Sequence, residues 1–416
     1  MFSDALSQDI RDQFHHVDTC PYQGPRIYFE NAGGSLTLKS VVKVNTELSA
    51  IPDNQGRDNP ASQEMGRIIA AAKQDVRLLL GVKQGQLFLG ETGTECLYRM
   101  IRAAVMGTAQ GGSVLGSTLE HPATISACKR WADVAGKTYV AIPHNNETGS
   151  LSAEDYQRHI TPDTRVATIV QTSPLTGGRV DVPAVVKTIR AVAPECLIIV
   201  DGIQHVPHGA LHVDDYDIDG FAVSAYKVYS RHNYGVGWVS SRLEHFSHDR
   251  LEGTPENYWD LGTRDAAAYA CLSEVVAYLE WLGTQFTNSE NRRTRLLAAG
   301  EAVVEHEKSL LDMLVNGNEN NKGLTDMPGV SIIGGPDNRH REGLVSLTVE
   351  HVDSVDVVSH LSEKGIRVHL RVNDQYSANV LEPLGLTSCI RVSIGHYNTA
   401  GEVAHFLQVM ASITAT

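Results

Sequence analysis

Residues 196–227, CLIIVDGIQHVPHGALHVDDYDIDGFAVSAYK, decide the fold. Residues 197–200 are apolar and β-branched, short enough for a buried parallel strand, and they end directly on Asp201. A second apolar segment, 220–223, ends on Ser224, Ala225, Tyr226 and Lys227. An acid and an amine are thus presented at the carboxyl ends of two strands, where open α/β sheets bind their ligands.

Pyridoxal phosphate requires such a pair. It takes a lysine amine on its aldehyde and an acid to keep its pyridine nitrogen protonated, because the protonated ring draws electrons from a substrate carbanion. The two residues lie 26 positions apart, room for a turn, a connection and a returning strand. Alone, Asp201 reads as a turn cap and Lys227 as a surface residue. Gln204 after the acid, with Ser224 and Tyr226 before the amine, favours the cofactor.

The runs VDGIQ (200–204), SAYKVY (224–229) and GVGWV (235–239) resemble the aminotransferase class V family, and the likeness extends from about residue 28 to about residue 398. The resemblance implies an α/β, fold-type I pyridoxal-phosphate transferase: a doubly wound, mostly parallel seven-stranded sheet with a smaller α+β domain. It implies a large cofactor-binding domain at 30–285 and a small domain built from 1–29 and 286–416. By the same resemblance Lys227 is the residue that bonds the cofactor and Asp201 the pyridinium partner. Gln204 meets the phenolic oxygen, and Ser224 and Tyr226 lie near the phosphate.

Bulk properties agree with a small-molecule enzyme. The 416 residues suffice for two cores, and 42% hydrophobic with 20% charged residues is ordinary for a soluble domain. A formal charge of −14 disfavours nucleic acid and anionic membrane as partners. The six cysteines show neither CxxC nor zinc-like spacing, so no metal site and no disulfide framework is expected. The acidic first residues do not read as a signal peptide, and no apolar run approaches the roughly 20 residues of a membrane span. A cytoplasmic location is the expectation.

Along the chain, RIYFENAGGS (26–35) predicts a short strand running into Asn31, which the resemblance puts near the substrate entrance. Helices are predicted over 40–51 and 62–80. The loop between them carries Arg57 and Asn59, candidate substrate contacts by resemblance. A strand over 86–89 leads through Gly90, Glu91 and Thr92 into Gly93 and Thr94 and a helix. Small residues at a helix start expose backbone N–H groups and the positive dipole end, which bind phosphate. Gly93, Thr94 and Glu95 match the family's phosphate cup. EHPATI (120–125) predicts a strand ending on His121 with Pro122 opening a helix. His121 is either a helix cap or, as the resemblance implies, a ring that stacks on the cofactor and moves protons. Strands at 137–143 and 165–172 continue the strand–helix alternation. Gly262 and Thr263 precede a long helix, and in the family this pair reaches the phosphate of the neighbouring subunit, implying a homodimer with shared active sites. From residue 329 the pattern becomes α+β, and RVSIGHYNT (391–399) resembles the family's carboxy-terminal motif, whose arginine, here Arg391, clamps the substrate carboxylate.

Two departures matter. Desulfurases usually carry an asparagine where this chain has Pro174, which offers no donor, leaving Gln204 or Thr172 for the phenolic oxygen. Persulfide-forming desulfurases also carry a nucleophilic cysteine in a small-domain loop matching 365–379, and Asp374 stands there. A carboxylate cannot carry a persulfide. Arg371, with His369 and Asn373, becomes a candidate for the substrate side chain. The expected activity on an α-amino acid is Cβ–S cleavage or β/γ-elimination, begun when Lys227 takes the α-proton. The alternatives are transamination or epimerisation in the same family, and a non-catalytic binding protein. A dinucleotide enzyme would need a G-x-G-x-x-G turn, which is absent.

Overall fold

The computed structural model describes residues 1–415. The strand over 197–200 is present as β5, one of seven in the largest sheet. In chain order these are β1 (Gln86–Gly90), β2 (Ser113–Ser117), β3 (Thr138–Ile142), β4 (Thr164–Val170), β5 (Leu197–Asp201), β6 (Gly220–Ser224) and β7 (Gly235–Val239). They lie in the order β1-β7-β6-β5-β4-β2-β3, with β7 alone antiparallel to its neighbours. The fold is therefore α/β with a mostly parallel seven-stranded sheet, as expected.

Side-chain alternation explains why helices cover both faces. Ile198 and Val200 of β5 point into one apolar cluster, and Leu197 and Ile199 into another. The first cluster takes in α2 (Lys39–Ser49), α3 (Pro60–Leu80), α7 (Val182–Val192) and α8 (Ala266–Gly283). The second takes in α4 (Gly93–Gly107) and α5 (Pro122–Val134). Helix α1 (Asp4–Arg11) and the turn after it send Ile10 and Phe14 into the first cluster. The small helix α6 (Ala153–Gln157) is closed by a capping box of Ser152 and Asp155.

Helix α9 (Arg292–Asn316) leads away from this sheet to a four-stranded antiparallel one. Its strands are β8 (Val330–Ile332), β9 (Leu344–Val349), β10 (His369–Val372) and β11 (Ser388–Ser393), ordered β8-β9-β11-β10 and backed by α10 (Ser354–Glu363) and α11 (Ala400–Thr414). A third apolar cluster joins Leu310, Leu314, Leu347, Ile390 and Phe406, and Phe29 enters it from the amino-terminal segment. The run expected as one strand, IRVHL, is split. Ile366–Arg367 pairs in parallel with Ile27–Tyr28, and His369–Val372 pairs with β11. The strand expected to end at Glu120 and His121 stops earlier, at Ser117, so these two residues lie in the turn that enters α5.

Candidate active site

Adjacent strands β5 and β6 pair Asp201 with Ala222, which sets the acid beside the strand that leads to Lys227. Lys227 closes a single 3-10 turn, Ala225–Lys227, directly after β6. Its side chain is buried, and its Nζ donates to Gln204 Oε1 at 3.0 Å. Burial, the most influential cause, lowers its pKa to about 7; Arg391 and Arg371 push the same way and Asp201 opposes them. The amine is thus available uncharged near neutral pH. Asp201 Oδ1 accepts the Ile203 amide at 3.1 Å, and Thr124 Oγ1 donates to Oδ2 at 3.5 Å. Burial raises the Asp201 pKa, while the Ile203 amide, Lys227 and Thr124 hold the charged form back from full protonation.

His121 does cap its helix, one of the two readings open in the sequence. Its Nδ1 accepts the Ala123 amide at 3.1 Å, so the neutral ring carries its proton on Nε2. Burial, then Lys227 and Arg371, lowers its pKa to about 4. Its ring also lies 5.8 Å from that of Tyr376. Next to it, Glu120 is buried, and burial followed by the Asp201 charge raises its pKa to about 8 against the weaker pull of Thr168 and the Val170 amide.

At the start of α4 the cap is Thr92, whose hydroxyl accepts the Glu95 amide at 3.0 Å. Glu95 Oε2 in turn accepts the Glu91 amide at 2.5 Å. These contacts leave the Gly93 and Thr94 amides, in the first turn, without intrahelical acceptors. A Cβ on Gly93 would overlap Ser224 Oγ and lie 2.6 Å from Ile203 Cδ1, so the cup and the end of β6 approach closely. The Tyr226 ring stacks on His232 with centroids 4.5 Å apart and packs under Gly34.

Gly262 and Thr263 are exposed and precede α8, but Asp265 caps that helix, accepting the Ala267 amide at 2.8 Å. The following Arg264 pairs with Glu91 at 3.1 Å, which ties this segment to the outer side of the α4 turn. Arg57 is exposed, and the Asn59 side chain caps α3 by accepting the Ser62 amide at 2.8 Å.

Two arginines converge from the small sheet. Arg391 on β11 is buried and donates from Nη1 to the Pro174 carbonyl at 2.8 Å. The residue that lacks an N–H therefore still anchors the site, through its oxygen. Asn31 Nδ2 donates to the Ser393 carbonyl at 2.9 Å and its Oδ1 accepts the Tyr397 hydroxyl, so its side chain braces the end of β11. Arg371 on β10 donates from Nε to Ser377 Oγ at 2.9 Å. Asp374 has its Oδ1 on the Tyr376 amide at 2.9 Å, and Cys389 is buried in β11 with its thiol pushed up to about 11 by burial.

Several participants carry no local signal in the sequence. Gln204 Nε2 lies 3.3 Å from His208 Nε2, and His208 Nδ1 lies 2.7 Å from Glu307 Oε2 on α9. Glu342 is contacted by Thr172 Oγ1 at 2.6 Å and by His205 Nδ1 at 2.8 Å. The Thr172 hydroxyl is thereby committed to Glu342. Only the four-residue step from Gln204 to His208 hints at any of this in the chain.

The fold recurs in solved structures: the cysteine desulfurase of Thermococcus onnurineus superposes over all of both chains with a TM-score of 0.81 at 20% identity. The CsdA cysteine desulfurase of Escherichia coli covers 99% of this chain and 98% of its own with a TM-score of 0.78 at 21% identity. In sequence the chain is 24% identical to the aminotransferase-like protein FGM3 of Gibberella zeae, over 99% of this chain and all of that protein. It is 27% identical to a probable cysteine desulfurase of Pseudomonas putida over 72% of this chain and 71% of that one. The model of the aminotransferase class-V family matches residues 27–301 and 296–406. With the fold, the lysine and the strand-end acid in place, the chain belongs to the aminotransferase class-V family of pyridoxal-phosphate-dependent enzymes.

Proposed function

We propose that this protein is a pyridoxal-phosphate-dependent lyase that acts on an α-amino acid by Cβ–S cleavage or β/γ-elimination, without persulfide transfer. The observation that carries the reading is the buried Lys227 amine, held 3.0 Å from Gln204 Oε1 on the strand next to Asp201. The residues fit the cofactor. A buried carboxylate suits a pyridinium nitrogen, a neutral imidazole suits a ring face, and the Gly93 turn, which a Cβ would fill, suits a phosphate.

When bound, the cofactor supplies an electron sink for the substrate's α-carbon. Lys227 Nζ would hold it and, once free, would serve as the general base for the substrate's α-proton. Asp201 would hold the pyridine nitrogen as its hydrogen-bond and charge partner. Gln204 would hold the phenolic oxygen, a role that Thr172 leaves to it by donating to Glu342. His121 would cover the ring, with Nε2 free to donate. Gly93, Thr94, Ser224 and Tyr226 would hold the phosphate, and in a homodimer Gly262 and Thr263 of a second copy would complete it. Arg391 clamps the substrate carboxylate, beside Asn31. Asp374, at the thiol position, and the buried Cys389 support release of the leaving group without a protein-bound persulfide.

The proposed domains are 30–285, and 1–29 with 286–416; the separate apolar cluster around Leu314, Ile390 and Phe406, with Phe29, supports the small domain, while Ile10 and Phe14 pack on the large one. Six free cysteines accord with a reducing, cytoplasmic setting. No helix among the described residues is long and apolar enough to cross a membrane.

The test is spectral and chemical. Cofactor-loaded protein should be yellow, and Lys227→Ala should lose that absorption. Incubation with an amino-acid panel should release sulfide, or pyruvate or another oxoacid with ammonia. Formation of pyridoxamine phosphate with no released fragment would replace the lyase reading by transamination.

A further inference from the structure

The small sheet brings two guanidinium groups to one face. Strand β10 pairs antiparallel with β11 so that His369 faces Arg391 and Arg371 faces Cys389. Arg371 is two residues from His369, hence on the same face as Arg391 and its diagonal neighbour. Both also act on Lys227 through space, disfavouring its charged form. Burial, and after it the charge of Arg371, disfavours the charged form of Arg391.

Neither has an ion pair among the described residues. The nearby acid Glu30 is already spent: Oε2 accepts Arg367 Nε at 2.6 Å, and Oε1 contacts His369 Nδ1 at 2.8 Å. Asp374 acts on Arg371 only at a distance, with its Oδ1 on the Tyr376 amide. Arg391 uses one N–H on Pro174 and its buried Nε has no partner; Arg371 uses Nε alone, on Ser377. Two adjacent cations beside an amine, with their forks facing no carboxylate, are costly unless anions enter with the ligand. One α-carboxylate satisfies Arg391. It does not satisfy Arg371 as well.

We propose that Arg371 receives a second oxyanion, so that the substrate is a short α-amino acid whose side chain itself ends in a carboxylate or a sulfur oxyacid. The proposal rests on the lyase reading for the role of Arg391 and adds the substrate class. Specificity against neutral side chains follows, because those leave the half-buried Arg371 fork without a charged acceptor.

The test uses cofactor-loaded protein and amine-free ligands, which bind without turnover. Succinate and 3-sulfopropanoate should bind at least tenfold more tightly than propionate by calorimetry, and the better of the two identifies the oxyanion. Arg371→Gln should remove that preference while leaving propionate binding unchanged, and Arg371→Lys should restore part of it. Ser377→Ala, which cuts the Nε contact but spares the charge, should retain the preference and so separates loop damage from loss of the anion site. Equal affinity for the mono- and dianions in the wild type, or an undiminished preference in Arg371→Gln, overturns the proposal. A protein that takes up no pyridoxal phosphate defeats the lyase reading instead, and the calorimetry on unloaded protein still reads the dianion preference.

Discussion

His208 Nδ1 stands 2.7 Å from Glu307 Oε2, a buried contact between the loop after β5 and helix α9, behind the residue that touches Lys227. In the neutral tautomer that donates from Nδ1 to Glu307, the opposite ring nitrogen accepts from Gln204 Nε2, and the Gln204 carbonyl is turned to the lysine. The pair thus orients an amide that could otherwise flip. Glu307→Gln combined with Gln204→Ala should be non-additive by about 1 kcal/mol, read from cofactor dissociation constants. Additive losses would show that α9 only packs here.

Lys227 is destabilising to the empty protein. Its folded pKa of about 7 lies below the ordinary 10.5, so between those values the unfolded chain binds more protons. Stability therefore rises as pH goes from 7 toward 10, with the full penalty present below about pH 7. Lys227→Met should flatten that slope. Urea melts of the unloaded proteins at pH 7 and pH 9.5 check it, and parallel curves would refute it.

Glu120 works with the opposite sign. Its pKa of about 8 exceeds the ordinary 4.5, so the folded chain holds the extra proton in that window. Stability is lost as pH rises from 4.5 through 8. Glu120→Gln, which mimics the protonated acid, should be near neutral at pH 5 and stabilising at pH 8. A difference in melting temperature that does not change with pH would mean that Glu120 is ionised throughout.

Gly93 is required for space rather than for a left-handed backbone. Its added methyl would overlap Ser224 Oγ and press on Ile203, so Gly93→Ala should cost roughly 1–3 kcal/mol and weaken cofactor binding. Adding Ser224→Ala should recover part of the stability. Cofactor titration and thermal melts of the single and double variants measure both effects, and an unaffected Gly93→Ala would mean that the turn yields freely.

Periodicity and turn chemistry made the strand over 197–200, the Pro122 helix start and the helix opening at Gly93 readable without coordinates, since each depends on neighbours within a few residues. The split of IRVHL was not readable: both halves are β-like, and which strand each one pairs with is settled by Tyr28 in one case and Arg391 in the other. The cap on α8 carries no distinct signal in the sequence. Gly262 and Thr263 look like a helix start, yet Asp265 is the better-placed acceptor.

By itself, the chain determined the class of sheet and the placing of Asp201, Gln204 and Lys227 at or just beyond two strand ends, because those follow from short apolar runs and the residues that close them. Only the tertiary structure decided that Pro174 anchors Arg391, that Glu307 backs His208 across 99 residues, and that Arg371 lies diagonal to Arg391 without an acid. These are contacts between distant segments. They are chosen by which strands pair and which helices pack, and no local pattern encodes that choice.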